Sequence, residues 1–177
     1  METFELEKVR LGRAGGLAVT YTMRTNENGV ERNEKHNIVS TRDYHKDLQS
    51  LFDELKPIVA KTFGFTRFCG APKVATNEDV IAELSVIEAD IMQNIVITGL
   101  SFAGKGESEG VIITARYFTE AYQETKICTP RIKFALNAYG FEDVLARITD
   151  AIESEAYQYL YEDKTAETSD FEQTINN

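Results

Sequence analysis

The stretch from Asn94 to Phe118 constrains the fold of this chain more than any other. Two runs rich in β-branched and aromatic residues, Ile95–Phe102 and Val111–Phe118, flank a short polar segment that carries Gly104, Gly106 and Gly110. Such runs suit a pleated, half-buried surface, and glycine takes up turn conformations that other residues resist, so a β-hairpin is expected with its tip within Ala103–Gly110. The same residues imitate a phosphate-cradling loop. Gly99 to Lys105 matches the first seven positions of G-x-x-x-x-G-K-[ST], but Gly106 stands where a hydroxyl would have to hold magnesium. The next residues are Glu107-Ser-Glu-Gly and a β-type run, where phosphate binding needs a helix N-terminus free of carboxylates. The hairpin reading is preferred.

Upstream, Phe4 to Leu11 suggests a first strand. Leu17–Met23 suggests a second, with Val19, Tyr21 and Met23 on one face. Asn28-Gly29 is turn chemistry, and the more polar return strand, about 30–39, is expected at a sheet edge. Ser40-Thr-Arg-Asp43 resembles a capping box. Tyr44, Leu48, Leu51, Phe52, Leu55, Ile58, Val59 and Phe63 then recur at spacings of three and four, the stripe of an amphipathic helix that Pro57 should kink or divide. A short helix is expected over 78–86, capped by Asn77.

After the hairpin, Thr125–Thr129 predicts another strand, and Ile132, Phe134 and Leu136 a further one. Phe141, Val144, Leu145, Ile148, Ile152, Ala156, Tyr159 and Leu160 mark a second long amphipathic helix. From Glu162 onward there are too few apolar residues to bury, and a disordered acidic tail over 162–177 is expected.

Strands followed by a long helix thus occur twice. The expected fold is one α+β domain over 1–161, with halves 1–73 and 74–161 forming a weak internal duplication. Their strands would join edges into an antiparallel sheet, with two long amphipathic helices packed on one face. At 177 residues such a domain buries enough surface to fold without staples. Cys69 and Cys128 each lack a nearby second cysteine and are expected to be reduced thiols. The start of the chain has no apolar signal-peptide core and no run approaches a membrane span, so a location in the cytoplasm is expected.

Charge is distributed unevenly. Residues 1–73 hold 12 Lys and Arg against 10 Asp and Glu, residues 74–161 hold 6 against 14, and residues 162–177 hold 1 against 5. This balance argues against general nucleic-acid binding, which depends on a basic face that neutralises phosphates. It leaves two candidate surfaces. Glu142, Asp143, Asp150, Glu153 and Glu155, read as the exposed side of the last helix, would meet a basic protein partner. Arg10, Arg13, Arg24, Arg32 and Lys35 would meet a small anionic ligand, or else protect a strand edge. No catalytic spacing, metal-ligand set or cofactor motif is visible, and His36 and His45 are read as surface or capping residues.

The segment from Ile97 to Thr114, Ile-Thr-Gly-Leu-Ser-Phe-Ala-Gly-Lys-Gly-Glu-Ser-Glu-Gly-Val-Ile-Ile-Thr, resembles a stretch of uncharacterised bacteriophage and prophage proteins, over about residues 91–135. The resemblance implies a phage-encoded protein at work in the cytoplasm of a bacterial host, and it carries over no site residue. The expected function is therefore non-enzymatic binding of a host or phage macromolecule through an acidic face, as an antagonist of host defence would bind. The alternatives are sequestration of a small anionic ligand such as a nucleotide signal, and an accessory role in phage DNA metabolism. Aromatic surface at Tyr117, Phe118, Tyr122, Tyr157 and Tyr161, together with open strand edges, predicts a homo-oligomer, most simply a dimer.

Overall fold

A computed structural model describes residues 2–12, 15–27, 29–64, 89–118, 123–135 and 140–166. Among these the elements run β1 (Glu2–Leu11), β2 (Leu17–Glu27), β3 (Val30–Ser40), α1 (Lys46–Glu54), α2 (Lys56–Thr62), α3 (Ala89–Gln93), β4 (Ile95–Ala103), β5 (Gly110–Phe118), β6 (Glu124–Cys128), β7 (Ile132–Lys133) and α4 (Glu142–Tyr161). The strands form one seven-stranded antiparallel sheet in the order β3-β2-β1-β4-β5-β6, with β7 pairing β5. The expected hairpin is β4–β5. Its tip holds Gly104 and Gly106 at positive φ and a single 3-10 turn, Gly106–Ser108, before β5 resumes at Gly110. β3 lies at the sheet edge.

β1 and β4 join through a three-rung ladder centred on Val9 and Leu100. Each of these strands carries one register shift, at Glu7 in β1 and at Thr98 in β4, two residues before that central pair. β1–β2–β3 and β4–β5–β6 each run as three successive antiparallel strands, the second set followed by the short β7, which pairs with β5.

Alternation along the strands places Leu6, Val9, Leu17, Val19, Tyr21, Ile95, Ile97, Leu100, Val111, Ile113 and Ala115 on one face, all buried. Helices α1, α2 and α4 cover that face with Leu48, Phe52, Ile58, Val59, Leu145, Ile148, Ile152 and Ala156. Of the two expected long helices, α4 forms as one 20-residue element. The first is divided at Leu55, one residue before α2 opens with Pro57 in its first turn. Proline is tolerated there because first-turn amides have no intrahelical acceptor.

Three local expectations need correction. Ser40 ends β3, and the cap of α1 is His45, whose Nδ1 accepts from the Asp47 amide at 3.2 Å. The further strand expected from Ile132, Phe134 and Leu136 is only the two-residue β7. The tail does not begin at Glu162: Thr165 is buried, bridges Tyr44, and is followed by an Ala166 amide that donates to the Asp43 carbonyl. The helix expected over 78–86, Arg13, Cys69, Tyr122, Leu136 and residues 167–177 lie outside the described residues.

Candidate functional site

The sheet has a second face, which none of the described helices covers, and its composition is set by register. In β1 the extra residue Glu7 sets Glu7 and Lys8 side by side on this face while Leu6 and Val9 keep to the core. Across the middle of the sheet run two rows of partners: Asn37, Thr20, Lys8, Ser101, Ile112, and beside it Val39, Ala18, Arg10, Gly99, Thr114, Cys128. Lys8 and Arg10 are thus neighbours at the centre, bordered by Ala18, Thr20, Gly99, Ser101 and Thr114. These side chains are small or hydroxylated; Lys8 is partly exposed and Arg10 exposed.

Gly99 has a specific reason to be glycine. A Cβ there would come within 2.9 Å of the Val9 carbonyl oxygen and 3.1 Å of Arg10 Cγ, so the bare backbone lets the Arg10 side chain lie across β4.

Cations dominate this face. Lys8, Arg10, Arg24, Lys35, Arg116, Lys126 and Lys133 lie on it, against Glu5, Glu7, Glu31 and Glu124. Arg24 pairs with Glu5, Lys35 with Glu7, and Arg116 with Glu124. The hydrogen bond from Lys35, and next the one from Thr22, hold the Glu7 carboxyl below its ordinary range. Lys8 and Arg10 make no ion pair among the described residues.

The five predicted anion-binding residues therefore separate. Arg10, Arg24 and Lys35 share the helix-free face. Arg32 pairs with Thr25 and lies on the opposite one. Lys8 was not among the five, and its side, like that of Arg10, is set by the bulge at Glu7, which strict alternation does not foresee.

The predicted acidic set is dispersed as well, which corrects the view of α4 as carrying all five acids on an exposed side. Glu142 is buried. Glu153 is half-buried and accepts the Leu6 amide at 2.7 Å, reaching the backbone beside the β1 bulge. Burial raises its pKa, an effect that the Leu6 hydrogen bond only partly offsets. Glu155 faces Lys164 at 2.7 Å with a side chain only 14% exposed. Asp143 and Asp150 remain exposed, in a stripe with Arg147, Ser154, Tyr157 and Tyr161.

Lys164 also reaches Asp47 Oδ2 at 2.9 Å. Ligand atoms of His45, Asp47 and Glu155 lie within 4.8 Å of one another, a spacing that would suit a metal ion. Here the Lys164 ammonium supplies the positive charge, and it ties the chain beyond α4 to the start of α1.

A third cluster is aromatic. Phe4, Tyr21, Tyr157 and Tyr161 pack edge to face or tilted, His36 stacks on Tyr21 at 4.9 Å, and the Tyr21 and Tyr161 hydroxyls meet at 2.7 Å. Burial, then the hydrogen bond to Tyr21, pushes the Tyr161 phenol up to about 12. Among the described residues no helix is long and apolar enough to cross a membrane. No protein-family model, curated protein or solved structure matches this chain.

Proposed function

We propose that this protein acts by binding, and that it captures a small anionic ligand, of the phosphate-bearing kind a nucleotide represents, on the helix-free face of its sheet. The observation that carries this reading is the pair Lys8 and Arg10: adjacent, without an ion-pair partner among the described residues, and bordered by small or hydroxylated side chains and by Glu7, whose carboxylate is engaged by Lys35 and Thr22. A phosphate there would meet two cations and the Ser101 hydroxyl, and the hydroxyls of Thr20 and Thr114 on turning from Asn37 and Cys128; charge-assisted hydrogen bonds of this kind are the stronger ones. The phage resemblance, taken with this reading, makes the ligand a signal or metabolite of an infected bacterial cell.

Mass spectrometry of small molecules released from the purified protein tests the reading. The parent is expected to release a phosphate-bearing compound that the Lys8→Ala/Arg10→Ala variant does not carry. An empty parent that also ignores a panel of nucleotides in calorimetry would sink it.

A second reading, contact with a basic host or phage protein, is favoured by the exposed stripe of α4. Tyr157 and Tyr161 are 38% and 48% exposed there and stand in line with Asp143 and Asp150. Tyrosine suits interfaces because its ring can be buried while its hydroxyl stays wet. Capture of a partner that Asp150→Lys/Tyr157→Ala abolishes, and that Lys8→Ala/Arg10→Ala leaves intact, would move the function to that stripe.

A further inference from the structure

The outer edge of β3 carries a charge pattern complementary to itself. Glu27 pairs with Val30 across a two-residue loop, with Gly29 at positive φ. Such a loop is closed by a hydrogen-bonded pair, after which hydrogen-bonded and non-hydrogen-bonded pairs alternate. Val30, Arg32, Glu34 and His36 therefore spend their backbone groups on β2, while Glu31, Asn33, Lys35 and Asn37 turn N–H and C=O outward. Among the described residues no strand pairs with that edge. Its side chains from Val30 to Lys35 are all exposed. An open edge of this length is a template for another strand.

We propose that the occupant is a second copy of this chain, paired antiparallel β3 to β3 about a two-fold axis at Asn33. In that register Glu31 lies opposite Lys35 of the second copy, Arg32 opposite Glu34, Asn33 opposite itself, and Val30 opposite His36. Every charged residue from 31 to 35 meets its opposite, and the symmetry doubles each pair. Moving the axis one residue either way sets Arg32 or Glu34 against its own copy, and like charges directly opposite are destabilising. The outward backbone groups of Glu31, Asn33 and Lys35 are also the ones this register joins. Val30, 58% exposed in one copy, is covered by the His36 ring that stacks on Tyr21 of the other.

The axis runs perpendicular to the sheet, so helices stay on one side and the two helix-free faces become continuous. Each Lys8–Arg10 pair then looks out from one extended surface. The dimer stands independently of the ligand reading, since neither cation takes part in it.

Sedimentation velocity of the full chain over a concentration series tests this. The parent should dimerise at micromolar concentration. Arg32→Glu and Glu34→Arg should each weaken the dimer by on the order of tenfold, and the double variant should restore it to within about threefold of the parent. Asn33→Pro, which removes an outward amide at a sheet edge where proline is tolerated, should be monomeric with an unchanged circular dichroism spectrum. A parent that stays monomeric overturns the proposal. So does a double variant no tighter than the weaker single, or an Asn33→Pro chain that still dimerises.

Discussion

Replacing Lys164 by methionine tests whether the chain beyond α4 belongs to the folded body. The ammonium joins Glu155 at 2.7 Å and Asp47 at 2.9 Å, with side chains 14% and 50% exposed. An exposed pair is worth roughly 0.2–1 kcal/mol, whereas stripping the partner from a buried charge costs about 3–5 kcal/mol. Glu155 lies nearer the buried limit and Asp47 at the exposed one, which places the loss at about 1.5–2 kcal/mol. For a chain of this size that is a fall in Tm of roughly 3–8 °C. Thermal denaturation at neutral pH and low salt reads it directly. Adding Glu155→Gln should recover part of the loss, because the stranded carboxylate is gone. The sign with pH is fixed by the shifts. Asp47 is lowered, first by the Lys164 hydrogen bond, so its share is present above the ordinary aspartate value and lost as pH falls through its folded value. Lys164 is raised on balance: burial, which lowers it, is outweighed by the hydrogen bonds to Glu155 and Asp47. Its share is present below the ordinary lysine value and lost as pH rises through its folded value. The difference between parent and variant should therefore be steady across neutral pH and shrink in acid. A variant within one degree of the parent at pH 7 would refute the latch, about 1 °C being within the noise of a neutral surface change.

Glu153 and Tyr161 give two further expected outcomes. At Glu153 burial raises the carboxyl, so in the folded state it costs stability as pH rises above the ordinary glutamate value, and the cost is absent below it. Glu153→Gln keeps an acceptor for the Leu6 amide and should be at least as stable as the parent at pH 7. Glu153→Ala strands that amide and should lose about 1–3 kcal/mol, so equal stabilities in denaturant melts would contradict the contact. In an ultraviolet titration one tyrosine should ionise only near pH 12. Tyr21→Phe should move that transition down, and an unmoved transition would assign it to another tyrosine.

The sheet was legible because its strands alternate: Val19, Tyr21 and Met23 set one face, and the glycines at 104, 106 and 110 mark the hairpin tip. The helices were legible from their stripes, and Pro57 marked the division between α1 and α2 within one turn. The site was less legible, for three physical reasons. A β-bulge shifts every later side chain of its strand by one face, so Lys8 could not be placed until Glu7 was known to be the extra residue. An acidic residue on a helix does not announce a distant partner, and Glu153 and Glu155 are taken by Leu6 and Lys164, 147 and 9 residues away. The strap at 162–166 has no large apolar side chain; it is held by a lysine between two carboxylates and by backbone bonds to Asp43 and Tyr44, which hydrophobic periodicity cannot report.

The helix-free face around Lys8 and Arg10 is the proposed site for a phosphate-bearing ligand. Its most direct test is a titration of isotopically labelled protein with a nucleoside triphosphate, read amide by amide in proton–nitrogen correlation spectra. Saturable shifts are expected, confined to Lys8, Arg10, Ala18, Thr20, Gly99, Ser101 and Thr114, lost in the Lys8→Ala/Arg10→Ala variant and weakened by salt, as accessible charges are screened. Shifts centred on α4, or none up to millimolar ligand, would contradict it.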